Sequence, residues 1–304
     1  MAIPVKRNRK QVVLLLFMLP ATVFFALFAY WPIYGMVMAF QNFSPALGFE
    51  KSPWVGLENF QHIFEMPNFL MALRNTLVIS SLKILISFPA AIVFALLLNE
   101  VTRPLFKKSV QTISYLPYFV SWLIVSGLFY KLLSLEGPLN EVLVSMHLVD
   151  KPILFLSDEG LFYPILIFTD IWKNIGWNSI IYLAALAGVD PELYEAARVD
   201  GAGRLRQMLH ISLPSIKNVI ILLFVLTLTS VLSADFDQLY TMGNPSVRKV
   251  GEILDTLVLK MLQGGTIRDY SYGAAMSFFK NTIGFVLFLV ANYLLNRTQE
   301  KGVI

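Results

Sequence analysis

Residues 12–40 contain no charged side chain. A helix needs only about 20 apolar residues to cross the hydrocarbon of a bilayer. A run of this length limits the fold before anything else does, because backbone polar groups inside lipid must be satisfied within the protein. It predicts a transmembrane helix over 12–40, with Pro20 and Pro32 as the places where it would bend. Lys6, Arg7, Arg9 and Lys10 precede the run, as basic residues precede a secretory signal core. Such a core is only about 7–15 residues long, and no small-x-small cleavage site follows at the expected distance. The segment is therefore read as a retained first span.

Five further runs qualify: 69–98, 109–133, 161–187, 219–236 and 272–295. They are continuous rather than alternating, which excludes the strands of a membrane barrel. The expected fold is an all-α integral membrane protein with six transmembrane helices and both termini on one side. Composition agrees: 56% of residues are hydrophobic and 14% charged, against about 25% charged in a soluble domain. Thirteen of the 24 Lys and Arg fall in 1–11, 99–108, 188–217 and 296–304, and eight in the longer connections and span edges on the other side, Arg74 and Lys131 being the two at span edges. Lys83, Lys173 and Lys280 lie within spans. Basic residues collect on the cytoplasmic side, so the N-terminus (1–11) and C-terminus (296–304) are expected there. That distribution accounts for the net charge of +4 without a nucleic-acid partner. With no cysteine in the chain, disulfides, thiolate catalysis and Cys-ligated metals are excluded. The outer connections 41–68, 134–160 and 237–271 are too short for a separate catalytic domain.

The connection 188–217 reads GVDPELYEAARVDGAGRLRQMLHISLPSIK. Asp190 before Pro191 is a helix start, with Glu192 in the first turn. A helix is predicted over 191–199, stopped by Gly201 and Gly203. A second is predicted over 204–211, ending before Pro214. Both are too short to span. Leu193, Tyr194, Ala196 and Ala197 would face either the membrane interface or a partner protein, and the residues alone leave both open.

Glu195, Ala196, Ala197, Asp200, Gly201, Ala202, Ile211, Leu213 and Pro214 together resemble the EAA signature of binding-protein-dependent permeases. GLENF at 56–60, LPYFVSW at 116–122, IWKNIGWNSIIYLAAL at 171–186 and FDQLYTM at 236–242 extend the resemblance over nearly the whole chain. It is similar to the maltose-permease-like branch of type I ATP-binding-cassette importers that serves complex sugars and oligosaccharides. Met208 and Asn218 depart from that pattern, standing where many relatives have an aromatic and a proline. The resemblance implies a transmembrane type I domain over 69–295 in a bacterial cell membrane. The loop 188–217 would supply a coupling helix that docks in an ATPase, with Tyr194 among the docking residues. It also implies that ATP and Mg²⁺ are bound by a partner ATPase dimer, so that this chain has no cofactor, metal or catalytic residue. The implied partners are that ATPase, a second homologous permease, and a lipid-anchored or periplasmic sugar-binding protein.

Polar groups inside spans are costly and tend to mark a path or a partner. The fourth run holds the densest set. In the family, the spans that flank the EAA loop line the sugar site. Asp170, Lys173, Asn174, Trp177 and Asn178, with Thr227 and Asp235 on the next run, are therefore the substrate-path candidates. An alternative is that Asp170 and Lys173, three apart, pair along one helix face. Tyr115, Tyr118, Trp122 and Tyr130 fit an interfacial aromatic belt equally well. Lys83 and Lys280 are read as packing against the partner permease. An intramembrane enzyme lacks support, since there is no H-E-x-x-H, no G-x-S-x-G and no P-loop. A permease for peptides or amino acids is the alternative cargo reading. A secondary transporter would need an internal repeat or an ion site, and neither is visible.

Overall fold

The computed structural model describes residues 9–264 and 267–297; of the predicted cytoplasmic termini, 1–8 and 298–304 lie outside them. The described residues are helical and connecting segments, with one isolated bridge between Gln41 and Trp54. They divide into two compact units, Met1–Glu65 with Lys260–Phe278, and Met66–Leu259 with Phe279–Ile304.

In the first unit the 12–40 run is helical throughout but not uniform. An α-helix Arg9–Phe25 carries Pro20 inside it, continues as a π-helical turn Ala26–Tyr30, and tightens into a 3-10 helix Trp31–Phe40. The side chains from Val13 to Tyr34 are exposed, as befits a surface solvated by lipid tails. The polypeptide then turns through Gly56, whose φ of +61° suits glycine, into helix Glu58–Glu65. Asn59 fixes that helix by donating to the carbonyls of Ala39 and Gln41, both at 2.9 Å. Phe40 stacks on Trp54 and meets Phe60 and Phe278.

In the second unit the long helix Glu159–Ala187 (29 residues) is central. Asp158 caps it, accepting from the amides of Gly160 and Leu161. One buried cluster forms around its first half, from Ile79, Trp122, Phe129, Phe162, Leu166, Leu239 and Met242 among others. A second forms around its other end, from Ala91, Ala95, Tyr182, Leu186 and Ile216. Pro67–Leu82, a π-helical turn Lys83–Ser87 and Phe88–Asn99 make one long helix alongside. Asn75 holds the 248–252 segment against it, donating to the carbonyls of Lys249 (2.9 Å) and Glu252 (3.0 Å).

Among the described residues, three helices are long and apolar enough to cross a membrane: Val13–Phe40, Pro67–Asn99 and Arg268–Tyr293. Two bent pairs pass the same test, Pro104–Phe119 with Trp122–Leu132 at 103°, and Arg204–Ser215 with Lys217–Thr229 at 62°. Glu159–Ala187 has the length, about 43 Å at 1.5 Å per residue, but its polar middle lowers its hydropathy.

Two expected spans are corrected. The run 109–133 is not one helix: it breaks after Leu116–Phe119, where Pro117 lacks an amide hydrogen and Val120 and Ser121 are extended. Ser121 then caps the next helix, accepting from the amide of Ile124. The run 219–236 stops at Thr229. Thr227, Thr229 and Ser230 turn their hydroxyls back onto the carbonyls of Leu223, Leu226 and Thr227, an alternative to continuing the helix. Ala234 and Asp235 follow in the left-handed region, at φ 44° and 61°, before a short helix Phe236–Met242.

Candidate functional site

The connection 188–217 folds as two helices joined by a tight corner. Asp190 accepts from the amide of Glu192 at 2.9 Å, and Pro191 opens the helix Pro191–Val199. The corner is a Schellman closure: the amide of Ala202 reaches the carbonyl of Ala197 (2.8 Å), and that of Gly201 reaches Arg198 (3.1 Å). Gly201 adopts φ +75°, which explains the glycine. The second helix runs on past its expected end. Arg204–Gln207 passes into a π-helical turn Met208–Ser212 and on through Pro214 to Ser215. The wider turn brings the amide of Leu213 to the carbonyl of Met208, so a proline fits where a regular helix would break.

Tyr194 ties the two helices together, its hydroxyl 2.9 Å from that of buried Ser212. Glu195 meets Arg198 at 3.6 Å in the open. Ala196 is exposed and Ala197 half-buried, as are Ala202, Ile211 and Leu213, while Asp200 and Pro214 are exposed. Leu193, Val199, Leu205 and Leu209 present apolar surface, Val199 at 89% exposure. The loop thus carries uncovered apolar side chains on two helices held together by the Gly201 corner and the Tyr194–Ser212 contact. The second helix meets Lys217–Thr229 at a bend of 62°, with buried Ile216 at the joint.

The polar residues of the central helix meet partners that lie far off in sequence. Lys83 Nζ lies 3.2 Å from Asp170 Oδ1 and 3.3 Å from Asp235 Oδ2. It donates to Gln238 Oε1 at 2.7 Å. Lys83 therefore binds within the chain and is not reserved for a partner. The same correction applies to Lys280, which pairs with Asp255 at 2.6 Å. Asn174 donates to Asp170 Oδ1 at 3.0 Å. The pairing of Asp170 with Lys173 along the helix is not made. Lys173 instead donates to the carbonyls of Tyr118 (2.7 Å) and Pro117 (3.4 Å), beneath the rings of Tyr118 and Trp122. Those carbonyls belong to the broken end of the 104–119 helix, where an ammonium both supplies donors and opposes the dipole.

Two cavities result. One, of about 410 Å³, is lined by Tyr118 to Trp122, Lys173, Asn174, Asp235 and Asp237. The other, of about 450 Å³, is lined by Phe88, Trp177, Asn178, Tyr182, Thr227 and Ser230 among others. Trp177 stacks flat on Tyr118, rings 4.2 Å apart and 4° from parallel. The sequence candidates are thus divided: Lys173, Asn174 and Asp235 share one cavity, Trp177, Asn178 and Thr227 the other, with Asp170 buried in the ion-pair cluster. Tyr118, the weaker candidate among the aromatics, lines the first cavity with Asp237; Ser230 lines the second and Gln238 joins the Lys83 cluster, neither of them marked by any pattern in the sequence. Among the described residues no group of His, Asp and Glu could hold a metal ion.

Residues 87–300 match the family of binding-protein-dependent transport system inner membrane components. The polygalacturonan/rhamnogalacturonan transport system permease protein YteP of Bacillus subtilis (strain 168) is 46% identical over 97% of this chain and 91% of its own length. Protein LplB of the same organism is 43% identical over 95% of this chain and 90% of its own. A crystal structure of a bacterial alginate ABC transporter, in complex with an alginate pentasaccharide-bound periplasmic protein, contains a chain with 34% identity and a TM-score of 0.88. That match covers 97% of this chain and 98% of the other.

Proposed function

This chain belongs to the family of binding-protein-dependent transport system inner membrane components, and from that premise we propose that it forms one half of a translocation path for oligosaccharides. It is a permease subunit of an ATP-binding-cassette importer. A soluble or lipid-anchored binding protein delivers the sugar, a second permease completes the path, and a separate ATPase dimer binds ATP and Mg²⁺. This chain hydrolyses nothing and holds no cofactor.

The observation that carries the reading is one continuous element. Leu193, Val199, Leu205 and Leu209 are uncovered, and the loop that carries them leads through the 62° bend into the half-helix that lines the 450 Å³ cavity. Docking of this loop in an ATPase would let the closing of that ATPase move the half-helix as a rigid body. Tyr194–Ser212 and the Gly201 corner keep the two loop helices from shearing under that load. Sugar rings present apolar faces and hydroxyls, which suits Trp177 and Tyr118 beside Asn174, Asn178 and Thr227. The sugar reading is supported by relatives and a solved structure whose names refer to polysaccharides and alginate. The N- and C-termini are assigned to the cytoplasm from the bias of Lys and Arg.

Affinity capture of this chain from its native membrane in mild detergent, with mass spectrometry, tests the assignment. Co-recovery of a P-loop ATPase and a second permease is expected, and a captured binding protein then names the sugar on a glycan array. Recovery of the chain alone overturns the importer reading; a binding protein that takes peptides overturns the cargo.

A further inference from the structure

The cluster around Lys83 is built more elaborately than charge burial requires. Its ammonium meets three acceptors, Asp170, Asp235 and Gln238, and its side chain is 15% exposed. It stands at the start of the π-helical turn Lys83–Ser87, a local insertion that recurs at functional sites. Gln238 is fully buried and is itself pinned, donating to the carbonyl of Leu166 (2.8 Å) and to Thr169 Oγ1 (2.9 Å) on the central helix. The outer piece Phe236–Met242 is therefore anchored to Glu159–Ala187. The inner piece Lys217–Thr229 belongs with the cytoplasmic loop. Between them lie six residues, ending in Ala234 and Asp235 at φ 44° and 61°. Two consecutive non-glycine residues in that region are strained, and persist only where their surroundings hold them.

We propose that Lys83 is a positioning residue: it holds Asp235 at the rim of the 410 Å³ cavity, and so makes the joint between the two halves of the fifth span a two-position switch rather than a loose link. The inference rests on the transport reading and adds to it the element through which movement of the loop reaches the path. With the pair closed, the Lys83 ammonium ties Asp235 to Asp170 and Gln238, and the left-handed pair Ala234–Asp235 is locked. Displacement of Lys217–Thr229 must then either be resisted or release Asp235 as a unit. Without the pair, the strained residues relax and the inner half moves without consequence for the cavity rim.

With no cysteine in this chain, the chain labelled before assembly carries probes only at the introduced sites. Spin labels are placed at Leu222→Cys and Tyr240→Cys, both exposed (41% and 53%) and on opposite sides of the joint. Distance distributions are recorded for the assembled complex in lipid nanodiscs, without nucleotide and with Mg·ATP and vanadate. Lys83→Met alone leaves two carboxylates unpaired and can fail to fold. Lys83→Met/Asp170→Asn/Asp235→Asn removes all three charges together, and Asp235→Ala leaves the Lys83–Asp170 pair intact. In the unaltered chain a narrow distance is expected that shifts with nucleotide. In the triple variant and in Asp235→Ala the distribution should be at least twice as broad and lose the shift, while the yield and melting temperature of the triple variant stay close to the parent. A narrow, shifting distance in both variants overturns the proposal, since the charges would then serve only to satisfy one another. If the unaltered chain shows no nucleotide response, the importer reading fails separately. The positioning role is then judged from the nucleotide-free widths: broadening upholds it, and unchanged widths refute it.

Discussion

Replacing Gly176 by alanine adds one methyl group where two helices touch through their backbones. A Cβ built at Gly176 would collide with the carbonyl carbon and oxygen of Ser114, and would come within 2.9 Å of the Tyr115 ring. Backbone atoms cannot rotate away as a side chain can, so Pro104–Tyr115 must move off the central helix by about 1 Å to restore ordinary contact. Overpacking of this kind costs about 1–3 kcal/mol. A clash with backbone puts the cost at about 3 kcal/mol, the top of that range, and the alanine returns up to about 1 kcal/mol of helix propensity, which leaves a net loss of roughly 2–3 kcal/mol. The displaced helix ends one turn before Tyr118, whose ring lies flat on Trp177 at 4.2 Å, so the damage should reach the path. Thermal melts in nanodiscs and uptake in cells read the two effects, with Gly127→Ala as control. Gly127 also lies within a helix, but nothing comes within 4 Å of its built Cβ, so the control should be neutral or up to about 1 kcal/mol stabilising. If Gly176→Ala melts and transports like the parent, the close approach of these helices is not a feature of the working protein.

Gly201→Ala should cost about 1–2 kcal/mol through its φ of +75° and lower ATPase co-purification. Gly203→Ala, at φ −68° with open space around it, should leave co-purification unchanged. Trp177→Ala and Asn174→Ala should reduce uptake at least tenfold with the ATPase still bound; unchanged sugar kinetics in both would remove them from the path. Asn75→Ala strands the two carbonyls that Asn75 bonds and should destabilise by about 1–3 kcal/mol, seen as earlier melting at unchanged ATPase affinity.

What the sequence made legible was local. The Asp190 cap, the start at Pro191 and the turn at Gly201 each depend on neighbours within a few residues, and all three form as expected. The runs 12–40, 69–98 and 272–295 were readable because lipid demands continuous apolar helix. The breaks at 117–121 and 230–235 were harder. Pro117 was visible, but prolines 20 and 214 sit inside helical segments without breaking them, so a proline alone does not mark a break. The partners of Lys83 at 235 and 238 are 152 and 155 residues away, beyond any periodicity. Gly176 shows the same limit: its place in a helix signals a packing reason, but only the fold identifies Ser114 as that reason.

The distribution of charge within the spans carries a further consequence for assembly. Lys83, Lys173 and Lys280 each find acceptors inside this chain, respectively two carboxylates with an amide, two backbone carbonyls, and one carboxylate. An unpaired charge in hydrocarbon would make folding wait for a partner to supply the counter-ion. Here Lys83 and Lys280 find carboxylates and Lys173 finds carbonyl acceptors within the chain, so a second permease is not needed to supply partners for these cations. The central helix can consequently carry Asp170, Lys173 and Asn174 through the middle of the fold without exposing a bare charge to lipid. The same local pairing frees Trp177, Asn178 and Thr227 from structural electrostatics. If cargo meets these side chains, as proposed, its contacts would form without the cost of first opening an ion pair.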